Sequence, residues 1–347
     1  MDSAPKKKRR FRFVTRAALK RLAVFGVVCA IGLVHSYLAM LRMPGRSYSG
    51  ALPELTQRQR ELCEQLKRDE EHLASEGGQR STFYPRRFAE TALWLKHALE
   101  RAGYEVNEHS FVKRGAACPN LEVTVPGTTR ANEIIVVGAH YDSYQGAPGA
   151  DDNASGVAAV LALARRGANT PHERTVRYVL FVNEEPPSFM TEDMGSLVYA
   201  RACKENGDNI KAMISLESIG YYSDKASSQQ YPPPLGMMYP DRGDFIAFVG
   251  NYSGRSLLKR SLRTFRESTE FPSEGAALPW FVPGVAWSDH WAFWKVGYEA
   301  LMVTGTAPFR NPNYHTLADT PNTLDYQRMA RVVEGVEHVV SELSNGE

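Results

Sequence analysis

The chain has 347 residues, 43% of them hydrophobic and 23% charged, with a formal net charge of +2. That composition excludes a disordered or fibrous chain and suffices for one sizeable core with appendages. The positive charge is concentrated in Lys6 to Arg10, Arg12, Arg16, Lys20 and Arg21, and without that arm the remainder is mildly acidic, so a nucleic-acid-binding reading loses its support.

Residues 1–21 read as a basic tail and residues 22–41 as a membrane-spanning helix. About 20 helical residues at roughly 1.5 Å each match the roughly 30 Å of bilayer hydrocarbon. His35 and Ser36 are the clear polar intrusions, and Arg42 closes the span. The Lys/Arg bias ahead of it predicts a cytoplasmic N-terminus, with the body of the protein periplasmic or lumenal/extracellular. Neither a shorter apolar region nor a small-residue cleavage motif is evident around Ser36 to Met43, which predicts an uncleaved anchor. Cys29 falls in the span, leaving Cys63, Cys118 and Cys203 outside it. An oxidising compartment could join one pair, with Cys63 and Cys118 as one candidate and free buried thiols as the alternative. No C-x-x-C spacing exists, which excludes a zinc ribbon.

Residues 42–54, rich in Gly, Ser and Pro, read as a linker, and 55–347 as one domain. Helical spacing marks Leu55 to Leu73 and Pro85 to Ala102; strand alternation marks Tyr104 to Val112 and Asn120 to Val125. Ile134 to Gly138 is a continuous apolar run, as expected of a strand buried on both faces. A glycine-rich loop, a helix over Ala154 to Arg166, a strand over Val176 to Val182, a helix over Ser196 to Cys203 and a strand over Ala212 to Ser218 follow. Phe245 to Gly250 and Ala300 to Thr304 are later strands, Ser253 to Arg266 and Leu324 to Leu343 later helices. Strands alternating with helices predict an α/β fold whose mainly parallel mixed sheet is covered by helices on both faces. In such sheets, sites form beyond the carboxyl ends of the strands. His140, Glu184, Glu185 and Glu217 each follow an apolar run, so the topology brings them to one edge.

His140 and Asp142 lie two apart on an extended segment, so the carboxylate can hold the far imidazole nitrogen while the near one binds a metal. Gly149 to Gly156 (GADDNASG) adds a carboxylate where a loop enters a helix, although an Asp or Asn cap would look the same. Of the adjacent acids Glu184 and Glu185, one can bind a metal while the other handles protons. His315 stands in a polar loop with Asp319 and Thr320.

This set in this order closely resembles peptidase family M28, the zinc aminopeptidases and carboxypeptidase-like hydrolases, over roughly Leu55 to Leu343. The resemblance implies the zinc-exopeptidase (phosphorylase/hydrolase-like) fold and two zinc ions. It further implies that His140 and Glu217 hold one zinc, Glu185 and His315 the other, and Asp152 bridges both. Asp152 is chosen over Asp151 because the family's bridging aspartate directly precedes the x-x-Ser-Gly opening the helix; the peptide after it, Asp152–Asn153, is expected to be cis. Glu184 would be the general acid/base acting with a zinc-bound hydroxide, and Asp142 the partner of His140. Asp289, within Ser288-Asp-His290, matches a stretch near the family's substrate pocket. Tyr314 and Trp287 are assigned to substrate contact, with Phe281, Trp291 and Phe293 as further candidates for an apolar pocket.

The chain departs from the family's pattern at Pro186 to Met194, where a short Gly-rich turn is usual, and in the long segment Tyr221 to Asp241 with Pro232 to Pro234. Both bear on substrate preference. The resulting expectation is a membrane-anchored aminopeptidase acting on peptides with a free N-terminus. Glutaminyl cyclase, which resembles the fold but uses a single zinc, and a catalytically silent tethered scaffold are the rivals. No His-Glu-x-x-His, Gly-x-Ser-x-Gly elbow or phosphate-binding glycine loop is present. Asn251-Tyr-Ser253 is a glycan acceptor only in a eukaryotic lumen.

Overall fold

The computed structural model describes residues 15–76 and 78–346. The basic run from Lys6 to Arg10, with Arg12, lies outside them. The chain divides into two units, residues 1–42 and 43–347. In the first, α1 (Arg16–Ser36) continues as helix to Leu41, long and apolar enough to cross a membrane, with none of its residues buried.

In the second unit, residues 43–53, expected as linker, lie against the domain. Met43 packs on the core, Ser47 Oγ accepts the Ser273 N–H at 2.9 Å, and the Pro44 and Pro53 carbonyls accept Arg266 and Arg331. Two helices follow, α2 (Gln57–Glu71), opened by a Thr56–Gln59 capping box, and α3 (Pro85–Arg101), with proline in its first turn where no N–H is needed. All four cysteines are unpaired.

Eight strands form one sheet: β1 (Asn107–Lys113), β2 (Ala116–Val125), β3 (Arg130–His140), β4 (Arg174–Phe181), β5 (Asn209–Glu217), β6 (Ile246–Gly250), β7 (Ser273–Ala277) and β8 (Ala300–Thr304), in the order β1-β2-β4-β3-β5-β8-β6-β7. The run β4-β3-β5-β8 is parallel, as the βα alternation predicts, and antiparallel pairings join β1, β2 and β6 to it. The β7 sequence Ser-Glu-Gly-Ala-Ala carries almost no β-branched or aromatic signal, which is why periodicity does not reveal it.

The faces follow strand alternation. Ile135, Val137 and Ala139 of β3, with Leu301 and Val303 of β8, join the larger core, where α4 (Gly156–Gly167), α6 (Arg255–Ser268) and α8 (Tyr326–Asn345) also pack. Ile134 and Val136 face the smaller core with α5 (Gly195–Glu205) and α7 (His290–Lys295). On that second face, Ala247 and Val249 of β6 and Met302 and Thr304 of β8 line a cavity instead. The cavity opens beside the carboxyl edge of β5.

Candidate metal centre

The centre is assembled by strand order. Because β4, β3 and β5 are neighbours at roughly 4.8 Å spacing, their carboxyl ends place Glu184–Glu185, His140 and Glu217 side by side. Asp152 comes from the loop before α4, and His315 from the loop that follows β8. Gly149, at φ +64°, lets that first loop fold tightly: a Cβ there would lie 2.4 Å from the Asp152 carbonyl and 2.6 Å from Ser143 Cβ. The Asp152–Asn153 peptide is cis.

Asp152 stands between the two imidazoles. Its Oδ1 is 3.4 Å from His140 Nε2, and its Oδ2 is 3.0 Å from His315 Nε2. His140 Nε2 is also 3.3 Å from Glu217 Oε2, and His315 Nε2 is 3.4 Å from Glu185 Oε2. The ligand atoms of His140, Asp152 and Glu217 lie within 4.8 Å of one another, and so do those of Asp152, Glu185 and His315. Two three-residue groups sharing one carboxylate therefore exist, made of the nitrogen and oxygen donors zinc takes.

Orphaned atoms show that these groups fit a metal. Among the described residues, His315 Nε2 and Glu185 Oε1 are buried without a well-directed hydrogen-bond partner, although carboxylates stand 3.0 Å and 3.4 Å from Nε2, as expected of donors that converge on a common point. Charge makes the same point: burial raises Glu184 well above the usual carboxylate range, raises Glu217, and with the Asp152 charge lifts Glu185 to about 8. Burial alone would lower His315, yet the Asp152 and Glu185 carboxylates hold it up at about 10. Asp152 itself is held well below its ordinary value, because both histidines outweigh its burial. Four carboxylates packed this closely require positive charge among them.

Neighbouring groups fix the donors. The Asp142 carboxylate lies 3.6 Å from His140 Nδ1, the nitrogen turned away from the centre, and the Asp142 carbonyl lies 3.2 Å from the same nitrogen. That carboxylate also accepts the Glu184 and Glu185 backbone N–H groups, each at 3.0 Å. Asp151 points away from the centre and accepts the N–H groups of Gly220 and Tyr221 and the Asn311 amide. Asn153 donates to the Leu216 carbonyl at 2.8 Å and to Glu217 Oε2 at 3.3 Å; Ser218 and Ser288 each donate a hydroxyl to Glu217, at 2.8 Å and 2.7 Å.

Several of these supports escape sequence reasoning. Arg80 is fully buried and donates to the carbonyls of Tyr141, Leu73, Gly78, Pro148 and Gly149, tying the His140 and Asp152 segments together. An arginine in a polar stretch looks like a surface residue. Tyr144 stacks on His315 with ring centroids 4.0 Å apart, and Tyr314 stacks on it at 3.8 Å. The nearby motif His140-Tyr-Asp-Ser-Tyr144 is the only hint.

Beside Glu217, Ser218 and Tyr314 opens the apolar cavity, about 820 Å³ with its mouth. Tyr231, Leu235 and Tyr239 of the long segment 221–241 wall one side, and Trp287 and Phe309, stacked at 6.4 Å, another. Of the aromatic candidates, Trp287 and Tyr314 line it. Phe281 is 70% exposed outside the lining, and Trp291 and Phe293 pack into the smaller core. Asp289 is fully buried, neither carboxylate oxygen has a hydrogen-bond partner among the described residues, and burial pushes it up to about 7. It lies outside the cavity lining.

The model of peptidase family M28 matches residues 120–340. An uncharacterized protein, YfbL of Escherichia coli K12, is 39% identical over 245 residues, covering 65% of this chain and 75% of its own. Leucine aminopeptidase 1 of Arthroderma otae is 25% identical over 285 residues, covering 74% and 67%. Among solved structures, the LapA aminopeptidase of Legionella pneumophila has the same fold, with a TM-score of 0.66 at 20% identity over 86% of this chain and 78% of that one. Glutaminyl cyclases also share the fold.

Proposed function

The chain belongs to peptidase family M28, a family of zinc metallopeptidases, and from that premise we propose that it is a membrane-anchored aminopeptidase whose centre holds two zinc ions. His140 and Glu217 would hold one ion, Glu185 and His315 the other, and Asp152 would serve both. The observation that carries this reading is the Asp152 carboxylate with one oxygen toward each imidazole, at 3.4 Å and 3.0 Å. A carboxylate shared by two flanking donor pairs supports two sites rather than one, and so favours hydrolysis over the single-zinc cyclase reaction.

When bound, zinc polarises a scissile carbonyl and lowers the pKa of water. Glu184 performs the proton transfer. Its Oε2 approaches His140 Nε2 only to 3.9 Å, and it belongs to neither donor group, which leaves it available to the attacking water. Its carboxylate can therefore take a proton from that water and pass it to the leaving amine. The apolar cavity next to Glu217 and Tyr314 receives the side chain of the N-terminal residue, and its aromatic walls favour a bulky apolar one. Anchoring rests on the exposed apolar helix Arg16–Leu41. The Lys/Arg-rich tail ahead of it sets the N-terminus in the cytoplasm and the domain on the other side.

The test is elemental analysis of the purified chain with a panel of aminoacyl and N-blocked substrates, with and without chelator. Two zinc ions per chain and chelator-sensitive release of bulky apolar N-terminal residues are expected. One ion with cyclisation of N-terminal glutamine would favour the cyclase, and a zinc-loaded chain that turns over no substrate would favour the scaffold.

A further inference from the structure

His315 differs from the other donors in how it is held. It lies on an irregular loop, its side chain is 24% exposed where that of His140 is 1%, and its backbone is left-handed at φ +59°. That conformation is uncommon for a residue with a Cβ and is kept only where surroundings enforce it. A ring so placed would turn about its own axis unless something held its plane.

The enforcing contacts are aromatic. Tyr144 lies parallel to the imidazole within 12° and Tyr314 within 17°, at centroid distances of 4.0 Å and 3.8 Å. Two rings stacked so closely cannot share one face of an imidazole, so they occupy opposite faces. The imidazole is a filling between two plates, and Nε2 is left pointing along its own plane toward Asp152 and Glu185. Tyr314 is the plate nearer the apolar cavity, which it lines. Tyr144 is the other plate. It follows Ser143, whose backbone N–H donates to the Arg80 carbonyl at 2.9 Å and whose Oγ accepts the Arg80 N–H at 3.0 Å. That anchorage ties the His140–Tyr144 segment to buried Arg80, whose Nε also donates to the Tyr141 carbonyl.

We propose that Tyr144 is a positioning residue for the centre: by stacking on His315 it pre-sets the imidazole for coordination, and so governs how firmly the ion between Glu185 and His315 is kept. The proposal rests on the two-zinc reading. Ring stacking and residues that orient a ligand histidine are the physical warrant, and loss of such a partner weakens metal binding about 10-fold or more. The phenol hydroxyl has no part in it, so phenylalanine should serve.

The experiment compares the zinc-loaded full chain with Tyr144→Ala and Tyr144→Phe, measuring zinc retained per chain over a graded series of chelator concentrations. Wild type should release its ions in two steps. In Tyr144→Ala the easier step should move to about 10-fold weaker chelation while the harder step stays, and Tyr144→Phe should match wild type. An unmoved easier step in Tyr144→Ala overturns the proposal, as does an equal shift of both steps, which reports general destabilisation. A shift of equal size in Tyr144→Phe overturns the stacking argument. If wild type holds a single ion, the two-zinc reading fails; the role of Tyr144 survives if Tyr144→Ala releases that ion earlier, and falls if it does not.

Discussion

Asp319 Oδ2 accepts the backbone N–H of Asp152 at 3.2 Å, while Oδ1 accepts that of Asp151 at 2.9 Å. One buried carboxylate thus sets the direction of the residue standing between both imidazoles. Asp319→Asn would turn an amide NH2 toward one of those N–H groups. We expect zinc affinity to fall about 10- to 100-fold with the fold retained, measured as zinc content after dialysis beside circular dichroism. Unchanged zinc content would remove Asp319 from this role.

Glu184→Gln keeps the shape and removes the proton acceptor. Turnover should fall about 10²- to 10⁴-fold while zinc content stays near that of wild type. Parallel kinetics and elemental analysis check this; loss of zinc would place Glu184 among the ligands instead.

Trp287 lines the cavity and stacks on Phe309. Trp287→Ala should lower kcat/KM for substrates with bulky apolar N-terminal residues about 10-fold relative to alanine substrates. A uniform loss across both substrates would show that the cavity does not select the side chain.

Gly195 donates to the Val182 carbonyl at 2.8 Å, just before Asn183-Glu184-Glu185. A Cβ at position 195 would sit 2.1 Å from that carbonyl oxygen and 2.6 Å from Asn120 Oδ1, both hard to move. Gly195→Ala should lower the Tm on the order of 5 °C and reduce activity, because the displaced strand carries both acids. A thermal melt and an activity assay at 25 °C decide it.

Glu122, between β1 and β4, gives a dependence on pH. Burial alone would raise it, but hydrogen bonds with His109 and Tyr199 and the Arg177 charge hold it at about 2, against 4.5 as the reference. The folded chain therefore gives up this proton more readily than the unfolded one. The resulting stabilisation, about 3 kcal/mol, is present above about pH 4.5 and is lost as pH falls toward 2. The destabilisation caused by Glu122→Gln, measured by urea unfolding, should stay level from pH 6 to about pH 4.5 and then shrink steadily toward pH 3; a difference that stays constant down to pH 3 would contradict it.

Legibility varied with how local each signal is. His140, Glu184, Glu185 and Glu217 could be placed on one edge because each follows an apolar run ending a strand. Asp152 could be told from Asp151 only by resemblance to a family, since both stand in the same loop; the fold separates them by turning Asp151 toward Gly220 and Asn311. The same limit governs the aromatic residues near position 290. Trp287 and Phe293 look alike in sequence, yet α7 carries Phe293 inward against Phe181 and Tyr199 while Trp287 stays 43% exposed at the cavity.

Primary structure alone settles the chemistry on offer: an apolar run of membrane-spanning length, βα alternation, and imidazoles and carboxylates at strand ends, all encoded by residues close to one another in the chain. What the folded chain decides is which partner each group meets. Asp142 meets two backbone amides as well as an imidazole, Arg80 becomes the buried tie beneath two ligand-bearing loops, and Tyr144 comes to lie on a histidine 171 positions away. Hydrogen bonding and ring stacking act over a few ångströms, so their partners are set by packing between distant segments, to which local pattern is blind.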